Sequence, residues 1–499
     1  RQADYLSPKY HVVIANPPYM GGKGMNGRLG AWLKDNYADV KSDLFSAFVV
    51  RCADLGMKSG LVGIMSPNVW MYISSHEKLR NYLTESKSLT NLVELPLSAF
   101  KGATVQICAY NFNNRRNQDS KGGYVRLTGF KGGDEEMASF TKEAIKNPDC
   151  GWFYRASAAD FKKIPGSPIA YWLSKASLEK FIDCKQLGSL SDLKQGMSTT
   201  DADRFVRNWS EVNYNKIAFG CNSAKEGNLS GAIWFPFNKG GKYRKWFGNN
   251  EHIVRYENDG EILINLVREK YPNISDPEFV IKNRKRYFLE SVTYSAISSS
   301  NFGVRLMPKG FIFSIAGPVI QSKHLDNRVI LSLLLSPVAQ EIVSALSPTL
   351  NFQAVDLEKI PVDQSLLIGG SNERSIKNTT QGLVERSMSD WDSYETSWDF
   401  NSLPLLNPDY RQPTLKATYQ KLRAHWREMT LEMQRLEEEN NSIFIDAYGL
   451  QEELTPEVPL NEITMSCNPH YRYGNDKSED ELEALLLADT MRELVSYAV

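Results

Sequence analysis

At 499 residues, with 42% hydrophobic and 23% charged residues and a net charge of −1, the chain has the composition of a globular protein of about two to four packed units. No run reaches the roughly 18 apolar residues of a membrane span and the first residues do not form a signal peptide, so no membrane partner and a cytoplasmic location are expected. The six cysteines (Cys52, Cys108, Cys150, Cys184, Cys221 and Cys467) stand singly, which excludes closely spaced zinc or redox pairs and predicts reduced thiols without a metal.

Near-neutral net charge also excludes a uniformly basic surface, yet the charge is uneven. Residues 187–330 carry about six excess positive charges and residues 431–499 about twelve excess negative ones, so one region suits nucleic acid and another repels it. The chain starts at Arg1 with a strand close behind, which reads as a start inside a domain.

In chain order, the apolar β-branched run 11–15 predicts a strand that ends at Asn16-Pro17-Pro18-Tyr19, where proline stops the ladder. A helix is predicted over 43–57, a buried strand over 60–65, then a helix, a strand near 89–95 and a β pair through 100–112. This alternation makes about half of a doubly wound α/β domain. Residues 113–165 are polar and glycine-punctuated and read as a connector. Beyond Ile169, short strands and aromatic loops fill about 200 residues and close at Ile360-Pro361, and residues 369–381 read as a linker.

The remainder is helical. Leu415, Tyr419, Leu422, Trp426, Met429, Met433 and Leu436 recur in steps of four and three along one stripe, and the pattern resumes at Ile443, Ala447 and Leu450. Such a stripe serves either an antiparallel helical hairpin within the chain or a dimerising coiled coil.

The Asn16-Pro17-Pro18-Tyr19 motif carries specific chemistry. An amino group conjugated to a purine is a poor nucleophile, and two acceptors that take both of its hydrogens favour the tetrahedral nitrogen that attacks a methyl group. Asn16 supplies a side-chain oxygen, Pro17 a carbonyl, the two prolines stiffness, and Tyr19 a ring to stack on a base rotated out of the duplex. The plainer alternative is a structural turn after a strand.

The motif resembles motif IV of amino-group, adenine-modifying DNA methyltransferases, and residues 60–68 and 100–105 stand where later strands of that domain are expected. The resemblance implies that Phe100 is a second aromatic of the target-base pocket; the alternative is a β-hairpin core residue. Longer strings, 161–174, 234–256 and 391–400, resemble the PglX methyltransferases of bacteriophage-exclusion (BREX) defence systems.

The fold implied is the second half of a Rossmann-like methyltransferase domain (1–118), the connector (119–165), a mixed α+β target recognition domain (166–365) and a helical C-terminal domain (366–499). The activity implied is S-adenosyl-L-methionine-dependent adenine N6-methylation at a specific site in double-stranded DNA, marking host DNA. Other defence-system proteins and a phage-encoded inhibitor that mimics DNA are the further partners implied. The family's glycine-rich cofactor loop lies upstream of motif IV, so Asn16 is expected only to border the cofactor. Gly21 to Gly24 reads as a mobile loop rather than a displaced cofactor loop. Asp43, Leu44 and Phe45 border the pocket, with core packing the better reading for the last two.

For DNA contact, the candidates are Gln195, Thr199 and Arg204 in one loop and Lys239, Lys242, Arg244 and Lys245 in a glycine- and tryptophan-rich loop. Single charges in such loops are also often only solvated. Residues 293–305, 311–317 and 331–361 resemble the target recognition domains of type I and type IIG systems, where Asn351 and Gln353 either contact DNA or, for Asn351, stabilise a turn. A type IIG enzyme that also cleaves DNA, and a non-catalytic DNA-binding specificity module, are the competing functions; the sequence holds no cluster of acids with a lysine that would mark a nuclease.

Overall fold

The computed structural model describes residues 2–100, 105–298, 301–347 and 351–499. They form two compact units, one made mainly of residues 1–183 and the other of 184–343 and 349–499.

The first unit is built on a mixed sheet of six strands: β1 (Tyr10–Ala15), β2 (Gly56–Pro67), β3 (Ser88–Glu94), β4 (Ile107–Asn113), β5 (Lys121–Arg126) and β6 (Phe153–Ser157), in the order β1-β2-β4-β3-β5-β6. β1 runs parallel to β2 with Val12 opposite Leu61 and Ala15 opposite Ile64, while β4 lies antiparallel to both β2 and β3. Strands β1, β2, β3 and β5 therefore share one direction, and their carboxyl ends lie along one edge of the sheet. Helices α1 (Gly27–Asn36), α2 (Leu44–Leu55) and α3 (Glu77–Ser86) alternate with the strands, as the apolar periodicity predicts. Phe45 and Val49 of α2 and Leu79 and Leu83 of α3 are buried in one core with Val62, Ile64 and Phe112 of the sheet.

Two expectations are corrected here. Residues 119–165 are not a connector: β5 and β6 extend the six-stranded sheet, and α4 (Asp134–Lys146) packs Met137 and Ala144 into a small core with Val125 and Leu127. The unit continues through Ile169 and Tyr171, which are buried in its main core, to α5 (Lys175–Asp183), so a boundary at 165 falls inside it. The β pair predicted from Phe100 begins only at Ile107; residues 101–104 lie outside the described residues.

In the second unit, β7 (Lys185–Gln186) pairs with β16 (Pro361–Val362), so the short-strand region closes on itself at the proline the sequence marks. Between them, β8 (Ser191–Lys194), β12 (Ser291–Tyr294), β13 (Val304–Met307) and β15 (Val319–Ser322) form one sheet. A second holds β9 (Val206–Asn208), β10 (Trp234–Asn238), β11 (His252–Arg255) and β14 (Ile312–Phe313). The recognition-like segments 293–305 and 331–361 include residues 299–300 and 348–350, which lie outside the described residues.

The helical tail is part of this same unit rather than a domain of its own. α6 (Asn327–Leu335), buried from Val329 onward, meets α7 (Glu373–Trp391), which runs antiparallel to α8 (Leu415–Tyr448): Thr379 bonds Glu439 and Arg386 faces Glu432. The stripe of α8 is thus used within the chain, with Tyr419, Leu422, Trp426, Met433 and Leu436 buried, and the helix runs unbroken where two segments were expected. A final helix, α9 (Glu479–Ala498), is tied to α8 by Arg423 and Arg427, which share Glu483. Among the described residues no single helix is long and apolar enough to cross a membrane; one bent pair, Asn327–Leu335 with Pro337–Leu346, passes that test jointly, and the side chains of α6 are buried in protein.

Candidate active site at the carboxyl ends of the parallel strands

β1 delivers Asn16-Pro17-Pro18-Tyr19 to the shared carboxyl edge of the sheet, where α/β proteins place ligands because strand ends and helix starts leave backbone polar groups available. Pro17 is buried and anchors the turn, Asn16 and Pro18 are exposed, and Tyr19 is 38% exposed. The Tyr19 hydroxyl donates to the Asn16 side-chain oxygen at 3.1 Å, which ties the two exposed side chains of the motif together. The Tyr19 ring meets Phe45 edge to face at 6.4 Å, and Phe45 in turn lies 5.3 Å from the His76 ring.

Asp43 holds the segment that follows. It caps α2 by accepting the Phe45 amide at 3.2 Å and also accepts the Met20 amide at 3.0 Å, while the Leu44 amide donates to the Met20 carbonyl. Burial raises its carboxyl above the usual range, against the pull of these amides. Gly21 bridges to Asp43, Gly22 donates to the Ser42 carbonyl and residues 22–24 make a turn of 3-10 helix, so the glycine stretch expected to be a mobile loop is a pinned one. Leu44 is half-buried against the core and Phe45 is fully buried, in keeping with a packing role.

Behind this loop the wall is apolar and neutral. His76 is buried, its Nδ1 lies 3.0 Å from the Ser46 hydroxyl, and burial, helped by the Arg80 guanidinium, lowers its pKa to about 4. Burial, with the Cys108 thiol nearby, raises the Tyr19 phenol, which stays protonated.

One polar network at this edge escaped sequence reasoning. Glu94, at the end of β3 and 2% exposed, accepts from Asn68 Nδ2 at 2.9 Å, Tyr72 at 2.8 Å and Tyr171 at 2.8 Å. Burial and the Glu94 carboxylate hold both phenols far above their ordinary value. The string Ser66-Pro67-Asn68 after a strand was the available signal; Tyr171 lies too far along the chain for any local pattern to include it. Phe100 is 40% exposed and stands next to residues 101–104, which lie outside the described residues.

The second unit treats its basic loop differently. Lys239 and Lys242 are exposed, as DNA contact needs, but Arg244 and Lys245 are not. Arg244 pairs with Asp390 at 2.8 Å, donates to the Phe247 carbonyl at 2.7 Å and to Ser466 at 3.1 Å, and lies over the Trp391 ring. Lys245 pairs with Glu437, which also accepts from Trp246 Nε1 at 2.7 Å. Burial alone would discharge Lys245; the Glu437 carboxylate offsets this and raises the ammonium above its ordinary range.

The expectation that Arg244 and Lys245 meet DNA is therefore corrected: both are buried and their charges are held by Asp390 and Glu437, clamping the loop to the helical tail. Gln195 and Arg204 are exposed and Thr199 half-buried beside them, while Asn351 is exposed and bridges through its backbone to Ile297.

Residues 3–100, which hold β1, the Asn16–Tyr19 motif and the pinned loop, match the Eco57I restriction-modification methylase family. Over its whole length the chain is homologous to adenine-specific methyltransferases. It is 33% identical to the adenine-specific methyltransferase BrxX of Escherichia coli O9:H4 (strain HS), covering 100% of this chain and 39% of that protein. It is likewise 33% identical to the adenine-specific methyltransferase PglX of Lacticaseibacillus casei (strain Zhang), over 92% of this chain and 38% of that one. The chain thus spans about two fifths of the curated relatives it matches. The solved structure of the type IIL restriction-modification enzyme MmeI in complex with DNA aligns with 97% of this chain and 57% of its own, at 13% identity and a TM-score of 0.49.

Proposed function

We propose that this chain provides the target-base side of a site-specific DNA adenine N6-methyltransferase together with its DNA-recognition region, acting in bacteriophage exclusion. The observation that carries the reading is Asn16-Pro17-Pro18-Tyr19 presented at the carboxyl end of β1, with the Asn16 oxygen bonded by the Tyr19 hydroxyl and the loop pinned by Asp43.

In this reading a flipped adenine stacks on Tyr19, with Phe100 as the second aromatic. Its amino hydrogens are accepted by the Asn16 side-chain oxygen and the Pro17 carbonyl. The amide oxygen has two lone pairs, so it can accept the amino group while keeping or releasing the Tyr19 hydroxyl. With both hydrogens held, the nitrogen lone pair would be free to take the methyl carbon as the donor's carbon–sulfur bond breaks with its electron pair leaving on sulfur as a neutral thioether, and one amino proton would then pass to solvent. Because the acceptors are fixed before reaction, they stabilise the charge growing on nitrogen without reorganising.

S-adenosylmethionine supplies the electrophilic methyl group. Asn16, exposed at the open end of β1, and Asp43, which holds the Met20 amide just after the motif, fit the border of such a site. The chain's own work is to extract, stack and orient the base.

In the second unit, exposed Gln195, Arg204, Lys239, Lys242 and Asn351, with Thr199, are the DNA contacts this reading retains. The full-length protein with Asn16→Ala tests the chemistry. Methyl transfer should fall by a factor on the order of 100 or more, the loss of one preorganised acceptor, with duplex affinity unchanged. Equal losses of affinity and turnover would show that Asn16 acts in binding instead.

A further inference from the structure

The second unit carries a basic seam that lies outside the Lys239–Lys245 loop. Residues 282–286 read Lys-Asn-Arg-Lys-Arg, with Asn283 at φ 57, and they lie alongside the segment 192–197. Asn283 Nδ2 donates to the Gln195 carbonyl at 2.8 Å, and Arg286 pairs with Asp192. In sequence, Lys194 and Lys285 fall between these two contacts.

The platform under the seam is rigid. Met197 donates to the Phe313 carbonyl at 3.0 Å and Ser198 to the Val280 carbonyl at 3.0 Å. At Gly196 a β-carbon would stand 1.8 Å from the Phe313 oxygen, so only glycine lets the loop press this closely onto β14.

Charge along the seam is sorted by residue type. The nearby carboxylates face the arginines: Asp259 and Glu278 face Arg284, and Asp192 pairs with Arg286. Lys194, Lys282 and Lys285 have no ion-pair partner among the described residues, and Lys285 is exposed. The planar forks that match carboxylates are thus consumed, and what remains is exposed Lys285 with half-exposed Lys194 and Lys282, the last with its ammonium 5.9 Å from the Phe279 ring, and the half-exposed Ser198 and Thr199. Single-point cations and hydroxyls on a fixed backbone are what contact to a chain of phosphates uses.

We propose that this seam grips the sugar-phosphate backbone of duplex DNA, with Lys194, Lys282 and Lys285 as its phosphate contacts. The proposal rests on the reading that the protein acts on DNA.

The test uses the full-length protein and its triple variant Lys194→Ala, Lys282→Ala, Lys285→Ala. Affinity for cognate and scrambled duplexes is titrated at several salt concentrations, with thermal melting to confirm that the variant is folded. Each phosphate contact contributes close to one unit to the slope of log affinity against log salt, so the variant's slope should flatten by about two to three units and both duplexes should bind more weakly. Loss from only one sequence, or loss of binding to an acidic protein with DNA affinity and slope unchanged, overturns the seam. A wild-type protein that binds no duplex overturns the functional reading instead, which separates the two failures.

Discussion

The loop at Asn16–Tyr19 and the loop at Lys239–Lys245 look alike in sequence, each a strand followed by residues fit for chemistry or for DNA. One keeps its reactive groups at the surface and the other turns two of them inward. Residue type sets what a side chain could do, and the partner across the fold decides whether it does it. At Asn16 the side-chain partner is a tyrosine hydroxyl, which occupies one lone pair of an exposed amide oxygen and leaves the side chain at the surface. At Arg244 and Lys245 the neighbours are Asp390 and Glu437, which consume the charge.

The largest expected effect breaks the second loop. Glu437→Ala leaves Lys245 and Trp246 Nε1 buried without their acceptor, and removing one partner of a buried pair costs about 3–5 kcal/mol. Denaturant unfolding should show that loss, and a change below about 1 kcal/mol would mean that the pair is solvated in solution.

Next comes a pH effect on the wall behind Tyr19. With His76 lowered from 6.5 to about 4, the unfolded chain binds a proton that the folded chain refuses between those values. Stability is therefore highest above pH 6.5 and falls as pH drops to about 4, by roughly 3 kcal/mol from this group. His76→Gln should flatten that part of the profile; an unchanged profile would assign the acid sensitivity to other groups.

The smallest effect sharpens the first loop. Tyr19→Ala should weaken retention of a flipped base by about 1–3 kcal/mol, read with a fluorescent base analogue at the target position, with little change in melting temperature because the ring is more than a third exposed. Undiminished flipping would make Tyr19 a prop for Asn16 alone.

The parallel strands β1, β2 and β3 were legible because short apolar, β-branched runs read as strands whether buried or not, and the motif was legible because its four residues are adjacent. β5 was not. Its Gly122-Gly123 reads as a breaker, yet a β-carbon at Gly122 would stand 2.8 Å from the Leu89 oxygen, so glycine there serves close strand approach. The burial of Arg244 was equally hidden, since Asp390 lies 146 residues further on and no local pattern spans that distance. Glu94 and Tyr171, 77 residues apart, show the same limit inside the first unit.

β1 pairs with β2 on one side only, and among the described residues nothing pairs with its other side, where Val12 is 56% and Ile14 81% exposed. Such a margin is a row of unsatisfied amides and carbonyls flanked by β-branched side chains, a template onto which any extended chain can add.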